Sequence, residues 1–257
     1  MTARPRFPGT RPTRFGHPNE GRHNRISYRI MEQALSYAAE TYGRGKLVDI
    51  GCGSKPWRTA FAPYVSEHVG VDLVDSKRAP GTVDVIAGAY EIPLEDGCAD
   101  TVLMSVVLEH LEQPARALAE AHRLCAPGGH VIMTAPLFWH LHERPRDFFR
   151  YTPDGLQFLL EEAGFEVAEI VPLSGVWTTI SLELSYALRR YRRGPLRLLV
   201  DGVTVGVQWA AARWEKVDFQ PKFSYSHLAV ASKPGVRLQP DLGVRLSSTQ
   251  DRDQAKA

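Results

Sequence analysis

The chain has 257 residues, 44% of them hydrophobic, which suits one α/β domain with additions and supplies enough apolar material for a full core. A formal charge of +2 is too small to predict a nucleic-acid or membrane partner. The three cysteines, Cys52, Cys98 and Cys125, are odd in number and far apart, which argues against a disulfide framework and a zinc site and implies a reducing, cytoplasmic setting.

In chain order, residues 1–25 carry Arg4, Arg6, Arg11, Arg14, Arg22 and Arg25 among four prolines, with no apolar run of secretory-signal type. They read as a disordered basic tail, either simply solvated or used as a lid or anionic-surface contact. Residues 26–42 follow a helical pattern, with Ile30, Ala34, Leu35 and Ala38 on one face and Gly43 and Gly45 as stops. Leu47, Val48 and Ile50 then form a short strand buried on both faces, cut off by Gly51 and Gly53. Glycines there accept φ > 0 and let a nucleotide-like ligand approach the main chain, with the amides of the next turn expected to point outward. A dinucleotide fingerprint needs a third glycine where Pro56 stands. A crossover helix is expected over 57–65, and a second strand, Val69-Gly70-Val71-Asp72-Leu73, ends on an acid suited to ribose hydroxyls. Next come a polar stretch with Ala79-Pro80-Gly81, strand three over 83–86, strand four over 100–105 and a short helix over 106–111. A helix over 114–124 opens on proline, and strand five covers 130–134.

Five stretches in order carry a resemblance. They are Val48-Asp49-Ile50-Gly51-Cys52-Gly53, Gly70-Val71-Asp72, Ile92-Pro93-Leu94, Ala99-Asp100-Thr101-Val102 leading to Val107-Leu108-Glu109-His110-Leu111, and Leu124-Cys125-Ala126-Pro127-Gly128-Gly129. Together they resemble the class I S-adenosylmethionine-dependent methyltransferases, in the type 11-like branch acting on small molecules, over roughly residues 46–173. The resemblance implies an α/β fold: a Rossmann-like, seven-stranded, mostly parallel sheet flanked by helices, its last strand antiparallel. It also implies S-adenosyl-L-methionine as cofactor. The positions it assigns to the cofactor are Asp49, Gly51, Cys52, Gly53, Asp72, Leu73, Gly88, Ala89, Tyr90, Ser105 and Val106. Gly88 stands where the family commonly has an aspartate for the adenine amino group, a loss of about 1 kcal/mol. In similar enzymes the helix before the first strand covers the cofactor, so Tyr28 and Arg29 are expected at its methionine end.

Ser105-Val106-Val107-Leu108 lacks the Asn/Asp-Pro-Pro-Tyr run of amino-methylating relatives, and the paired glutamates of arginine methyltransferases are absent too. Quinone-ring O-methyltransferases and small-RNA end-capping enzymes hold a divalent ion with Glu-x-x-Glu-His and a later histidine. Glu109 and His110 match part of that set, but Val106 replaces the first carboxylate, so no metal is expected.

The loop over 135–152 is rich in aromatic and titratable groups at the edge where such sheets bind ligands. His140 or His142 is the expected base, with His110 as rival. Phe138, Trp139, Arg150 and Tyr151 are expected at the substrate; the alternative makes Asp147 and Arg150 an internal ion pair that shapes the loop. Thr152-Pro153-Asp154 opens a helix to about residue 163. Strand six follows over 164–173, then a helical insertion over 176–217 with an arginine run at 189–193. Its second helix repeats Leu196, Leu199, Val200, Val203, Val207, Ala210 and Trp214 at threes and fours, but lacks the uninterrupted apolar length of a membrane span. A lid or a homodimer face ranks first for it, and a peripheral membrane contact through 189–214 second. The last strand, 223–232, is expected antiparallel between strands five and six. The domain thus covers 26–233, and 234–257 read as a disordered tail.

The expected activity is methyl transfer to a small molecule, more at oxygen than at carbon or nitrogen, on a phenolic, sugar or isoprenoid-like acceptor, with no nucleic acid involved. A non-catalytic binder of the same fold is the alternative; a nicotinamide oxidoreductase is disfavoured by Pro56.

Overall fold

Short runs of aliphatic residues fold into one seven-stranded sheet in the order β3-β2-β1-β4-β5-β7-β6. The computed structural model describes residues 20–73 and 81–235; the expected tails before residue 20 and after residue 235, and most of the polar stretch after strand two, lie outside the described residues. β1 (Lys46–Ile50) lies parallel between β2 (Glu67–Asp72) and β4 (Ala99–Ser105). β3 (Val85–Ile86) extends one edge, and β5 (Cys125–Pro136) runs parallel to β4. As expected, the last strand, β7 (Ser226–Ser232), is antiparallel and inserted between β5 and β6 (Glu166–Pro172).

Alternate side chains of these strands feed two cores, which is why the central strands β4, β5 and β7 are largely buried and apolar. Val48, Ile50, Val102, Met104, Val131 and Met133 pack with α3 (Pro114–Leu124) and α4 (Pro153–Glu162). Leu47, Leu103, Ile132, Leu228 and Val230 face α1 (Arg25–Tyr42) on the other side. α3 has the expected bounds, with Pro114 in its first turn, and Thr152 caps α4 by accepting from Gly155 N at 3.0 Å. The first crossover helix is shorter than expected: α2 (Arg58–Phe61) is a single turn, because Pro63 has no N–H to continue the ladder.

Between β6 and β7 the chain makes a helical hairpin, α5 (Val176–Leu188) and α6 (Leu196–Trp214), bent through a 3-10 turn at Arg189–Tyr191. No helix among the described residues is long and apolar enough to cross a membrane. Glu215, 1% exposed, closes the hairpin: its carboxylate accepts from Gly175 N (2.8 Å) and Thr178 N (2.7 Å), the unpaired amides that open α5. Glu215→Ala leaves both amides buried without acceptors and is expected to cost about 3 kcal/mol, read as a lower urea midpoint. Glu215→Gln, which keeps one acceptor, should fall between; an unchanged midpoint for alanine would contradict this role.

Candidate functional site

At the carboxyl ends of β1 and β2 the main chain turns on Gly51 (φ 71°) and Gly53 (φ 52°), both in the left-handed region that favours glycine. A Cβ on Gly51 would lie 2.5 Å from Val107, so the turn nests directly against the segment after β4. The outward amides expected here are engaged instead. Gly51 N and Cys52 N donate to Val71 O (2.8 and 3.1 Å), Gly53 N to Asp72 Oδ2 (2.7 Å) and Lys55 N to Cys52 O (2.8 Å). A pyrophosphate needs free N–H groups, and these four are spent. What remains is a set of acceptors, which suits an uncharged nucleoside with a cationic tail. Asp72 keeps lone pairs for hydroxyls, and Asp49, 2% exposed, sits at the cavity wall with its Oδ2 3.0 Å from His68 Nε2. Burial raises the Asp49 carboxyl pKa, and His68 opposes that shift.

A cavity of about 940 Å³ opens beside this turn, room for a nucleoside cofactor together with a small acceptor. Asp49, Gly51, Cys52 and Gly53 form one wall, Ser105 and Val106 the floor, and Ser27, Tyr28 and Met31 of α1 a cover. Trp139, His140, His142 and His110 face them, with Glu183 and Tyr186 of α5 and Tyr225 closing the far side. Ser105 Oγ lies 3.1 Å from Thr134 Oγ1. Two residues at the cavity, Val106 (φ 56°) and Glu143 (φ 50°), are left-handed without being glycine. For β-branched Val106 that conformation costs roughly 1–3 kcal/mol, a strain that concentrates where backbone geometry serves a ligand.

The other expected cofactor residues, Asp72, Leu73, Gly88, Ala89 and Tyr90, lie outside this cavity, on or beside the ends of β2 and β3. Asp72 Oδ1 accepts from Leu73 N at 2.7 Å. Gly88 is open, since an added Cβ would meet only Leu73, at 3.9 Å. Tyr90 is committed elsewhere: its hydroxyl accepts from Gln113 N (3.2 Å) and Arg116 sits over its ring.

The histidines separate into two groups. His110 donates from Nδ1 to Arg146 O, which leaves Nε2 free, 3.8 Å from Glu109 Oε1 and 4.0 Å from Glu143 Oε2. The His142 ring stands edge-on to it at 4.8 Å. Burial, then the nearby His110, lower the His142 pKa below its ordinary 6.5; its Nδ1 is 3.7 Å from Asp147 Oδ2 and has no hydrogen bond. Glu109 is fully buried with no hydrogen-bond partner for either carboxylate oxygen, and burial pushes its carboxyl up to about 8. One ligand atom from each of Glu109, His110 and His142 lies within 4.8 Å of the others, a group that can hold a proton or a divalent cation. His140 stands apart, 4.0 Å from the Tyr186 ring and with Nδ1 3.4 Å from Glu183 Oε1.

Of the four residues expected at the substrate, only Trp139 lines the cavity. Arg150 is the internal strut of the alternative reading. Its guanidinium donates to both Asp147 oxygens (2.6 and 3.0 Å) and to the carbonyls of Trp139 (3.1 Å) and His140 (2.9 Å). The ion pair holds the Asp147 carboxyl well below the usual range. Tyr151 is buried and donates to Leu108 O at 3.0 Å, while Phe138 is an exposed ring against Phe223. Tyr28 meets the cavity but Arg29 points to solvent. Glu183 and Tyr186, which the insertion brings to the cavity, and His68 were not among the expected site residues; the signal available was Glu183, the one charged residue in the apolar run of α5.

Residues 48–133 match the family model described as a methyltransferase domain. The chain is 31% identical over 158 residues to an uncharacterized 37.1 kDa protein in a transposon of Streptomyces fradiae, covering 51% of this chain and 46% of that one. It is 30% identical over 129 residues to the chloroplastic tocopherol O-methyltransferase of Arabidopsis thaliana, covering 43% and 37%. The match thus spans less than half the length of either relative. Among solved structures, the [4+2]-cyclase SpnF is similar with a TM-score of 0.58, 19% identity and coverage of 87% and 88%, a likeness of fold alone. The matched stretch runs from β1 into β5, the strands whose ends carry the glycine turn, Asp72 and Ser105, and over those residues the chain carries a methyltransferase domain of the kind that binds S-adenosylmethionine.

Proposed function

We propose that this protein methylates an oxygen atom of a small acceptor held in the cavity between Trp139, Tyr186 and Tyr225. The observation that carries the proposal is the His110–His142 pair, which shares one cavity with the glycine turn and Ser105. S-adenosylmethionine supplies the methyl group already activated on a sulfonium, so what the protein adds is alignment and removal of one proton. The cofactor's amino-acid end would rest against Asp49, Gly51, Cys52 and Gly53, and its ribose on Asp72. Val106 and Ser105 would face the reacting centre.

His142 takes the acceptor's hydroxyl proton. With a pKa below 6.5 its imidazole is neutral at pH 7 and ready to accept. Asp147, ionised and fixed by Arg150, lies 3.7 Å from Nδ1 and stabilises the imidazolium that forms. Arg150 is thus a positioning residue. The aromatic walls suit a phenolic, sugar or isoprenoid-like acceptor, and one curated relative is named for O-methylation. Labelled S-adenosylmethionine incubated with a small-molecule extract should transfer its methyl group, with the rate falling on the acid side of pH 6.5. His142→Ala is expected to lose 10²–10⁴-fold. Undiminished transfer by His142→Ala would overturn the assignment.

A second reading gives Glu109, His110 and His142 a divalent ion, favoured by the two buried, unpartnered oxygens of Glu109. Two imidazoles and one carboxylate suit a first-row transition metal better than Mg²⁺. Metal analysis of the purified protein separates the readings, since the proton-transfer reading expects none bound and no loss of transfer in EDTA.

The raised Glu109 carboxyl has its own signature. Its folded pKa of about 8 lies above the ordinary 4.5, so the stabilisation is full below pH 4.5 and is lost as pH climbs toward 8, at up to about 1.4 kcal/mol per unit. Melting temperatures between pH 5 and 8 should therefore fall for the natural protein and stay flatter for Glu109→Gln. Parallel curves would show that Glu109 ionises freely in the folded state.

A further inference from the structure

α6 is inside out for a helix facing water. Its buried positions include Asp201, Thr204 and Gln208, and two of these hold the hairpin in place. Asp201 pairs with Arg192 at 2.6 Å and Arg22 at 3.4 Å, while Gln208 donates to the carbonyls of Arg22 (3.1 Å) and His23 (2.9 Å) and to Ser185 Oγ (3.1 Å). The outer positions are mostly apolar: Leu198 is 79% exposed, Leu199 63% and Trp209 66%, with exposed Val203 and Val205 between them, and the exposed charges of the helix are both basic, Arg197 and Arg213. A water-facing helix places these classes the other way round. An apolar surface of this kind on a folded domain marks a contact.

The bend before α6 identifies the partner. Residues 189–200 hold five arginines and no acid. Arg189, Arg190 and Arg193 are exposed there, and only Arg192 and Arg197 reach the buried Asp201. A second copy of this chain could cover the leucines, but the outer face of α6 offers no carboxylate to neutralise the bend; the one acid of the helix, Asp201, is buried. An anionic bilayer answers both features at once, with the apolar side chains entering the headgroup boundary and the arginines meeting phosphates.

We propose that the α5–α6 hairpin docks on an anionic lipid surface through Leu198, Leu199, Trp209 and the arginines of the bend. The docking is peripheral, since neither helix of the hairpin can cross a membrane. The same arginines line the mouth of the cavity. Docking therefore brings that mouth to the headgroups, where an amphiphilic acceptor resides; this last step rests on the proposed methyl transfer, whereas the docking itself does not.

The test is flotation of the full chain with vesicles of phosphatidylcholine alone or mixed with phosphatidylglycerol, without cofactor or acceptor, so the result is independent of activity. The chain should float with the mixed vesicles and not the neutral ones, and high salt should weaken the association. The triple variant Leu198→Ser, Leu199→Ser, Trp209→Gln alters only exposed side chains and should melt as the natural protein does, yet bind the mixed vesicles about tenfold or more weakly. Arg190→Glu with Arg193→Glu should do the same. Equal flotation with both vesicles, or with neither, overturns the proposal. So does a stable dimer in solution whose Trp209 fluorescence is unmoved by anionic vesicles, which would assign the face to a second copy.

Discussion

The site is held open by one hydrogen bond, from the amide of Gly53 to the carboxylate of Asp72 at 2.7 Å. The parallel register of β1 and β2 brings it about: Ile50 pairs with Val71, so the next residues on each strand, the glycine turn and the acid, meet beyond the sheet edge. A bond from an amide to an ionised carboxylate contributes on the order of 1.5–3 kcal/mol. Val71 O takes two further amides, and the turn is thus fixed by a carbonyl and a carboxylate of the neighbouring strand rather than by its own side chains. The consequence is chemical: the turn has lost the N–H groups a phosphate would need and retains bare peptide and carboxylates, a surface suited to an adenosyl group with an amino-acid tail.

Around that fixed point the cavity is assembled from segments far apart in sequence. β4 delivers Ser105 and a strained Val106, the loop after β5 delivers three aromatic or imidazole rings, and α1 and α5 close over them. The loop has few internal backbone bonds and takes its shape from the Asp147–Arg150 pair, which also clamps the carbonyls of Trp139 and His140. His142 is positioned by the same pair through its own amide, 2.8 Å from Asp147 Oδ2. The buried Asp147–Arg150 pair and the base proposed above, His142, therefore lie within one hydrogen-bond network, and loss of Arg150 would remove the support of that imidazole.

Much of this was legible in the sequence where the cause is local. The apolar runs gave the strands, Pro114 and Thr152 the starts of α3 and α4, and the place of β7 followed from the family resemblance. Where a partner comes from elsewhere in the chain, reading failed. Nothing near Arg150 says that Trp139 and His140 will present carbonyls to it, and nothing near Glu109 says that both its oxygens will be buried without a donor. α6 is the plainest case. Its apolar stripe was recognised from the spacing, yet Leu196, Leu199, Val203 and Trp214 face outward, because Asp201 and Gln208 have stronger reasons to face in. Spacing identifies a stripe; only the polar partners decide which way it turns.

The account depends on an adenosyl cofactor lying across the ends of β1 and β2, and calorimetric titration with S-adenosylhomocysteine addresses that directly. The natural protein is expected to bind it and to give no heat with NAD, and Asp72→Ala should weaken the binding by about tenfold or more, some 1.4 kcal/mol. Preference for NAD, or an affinity indifferent to Asp72→Ala, would contradict it.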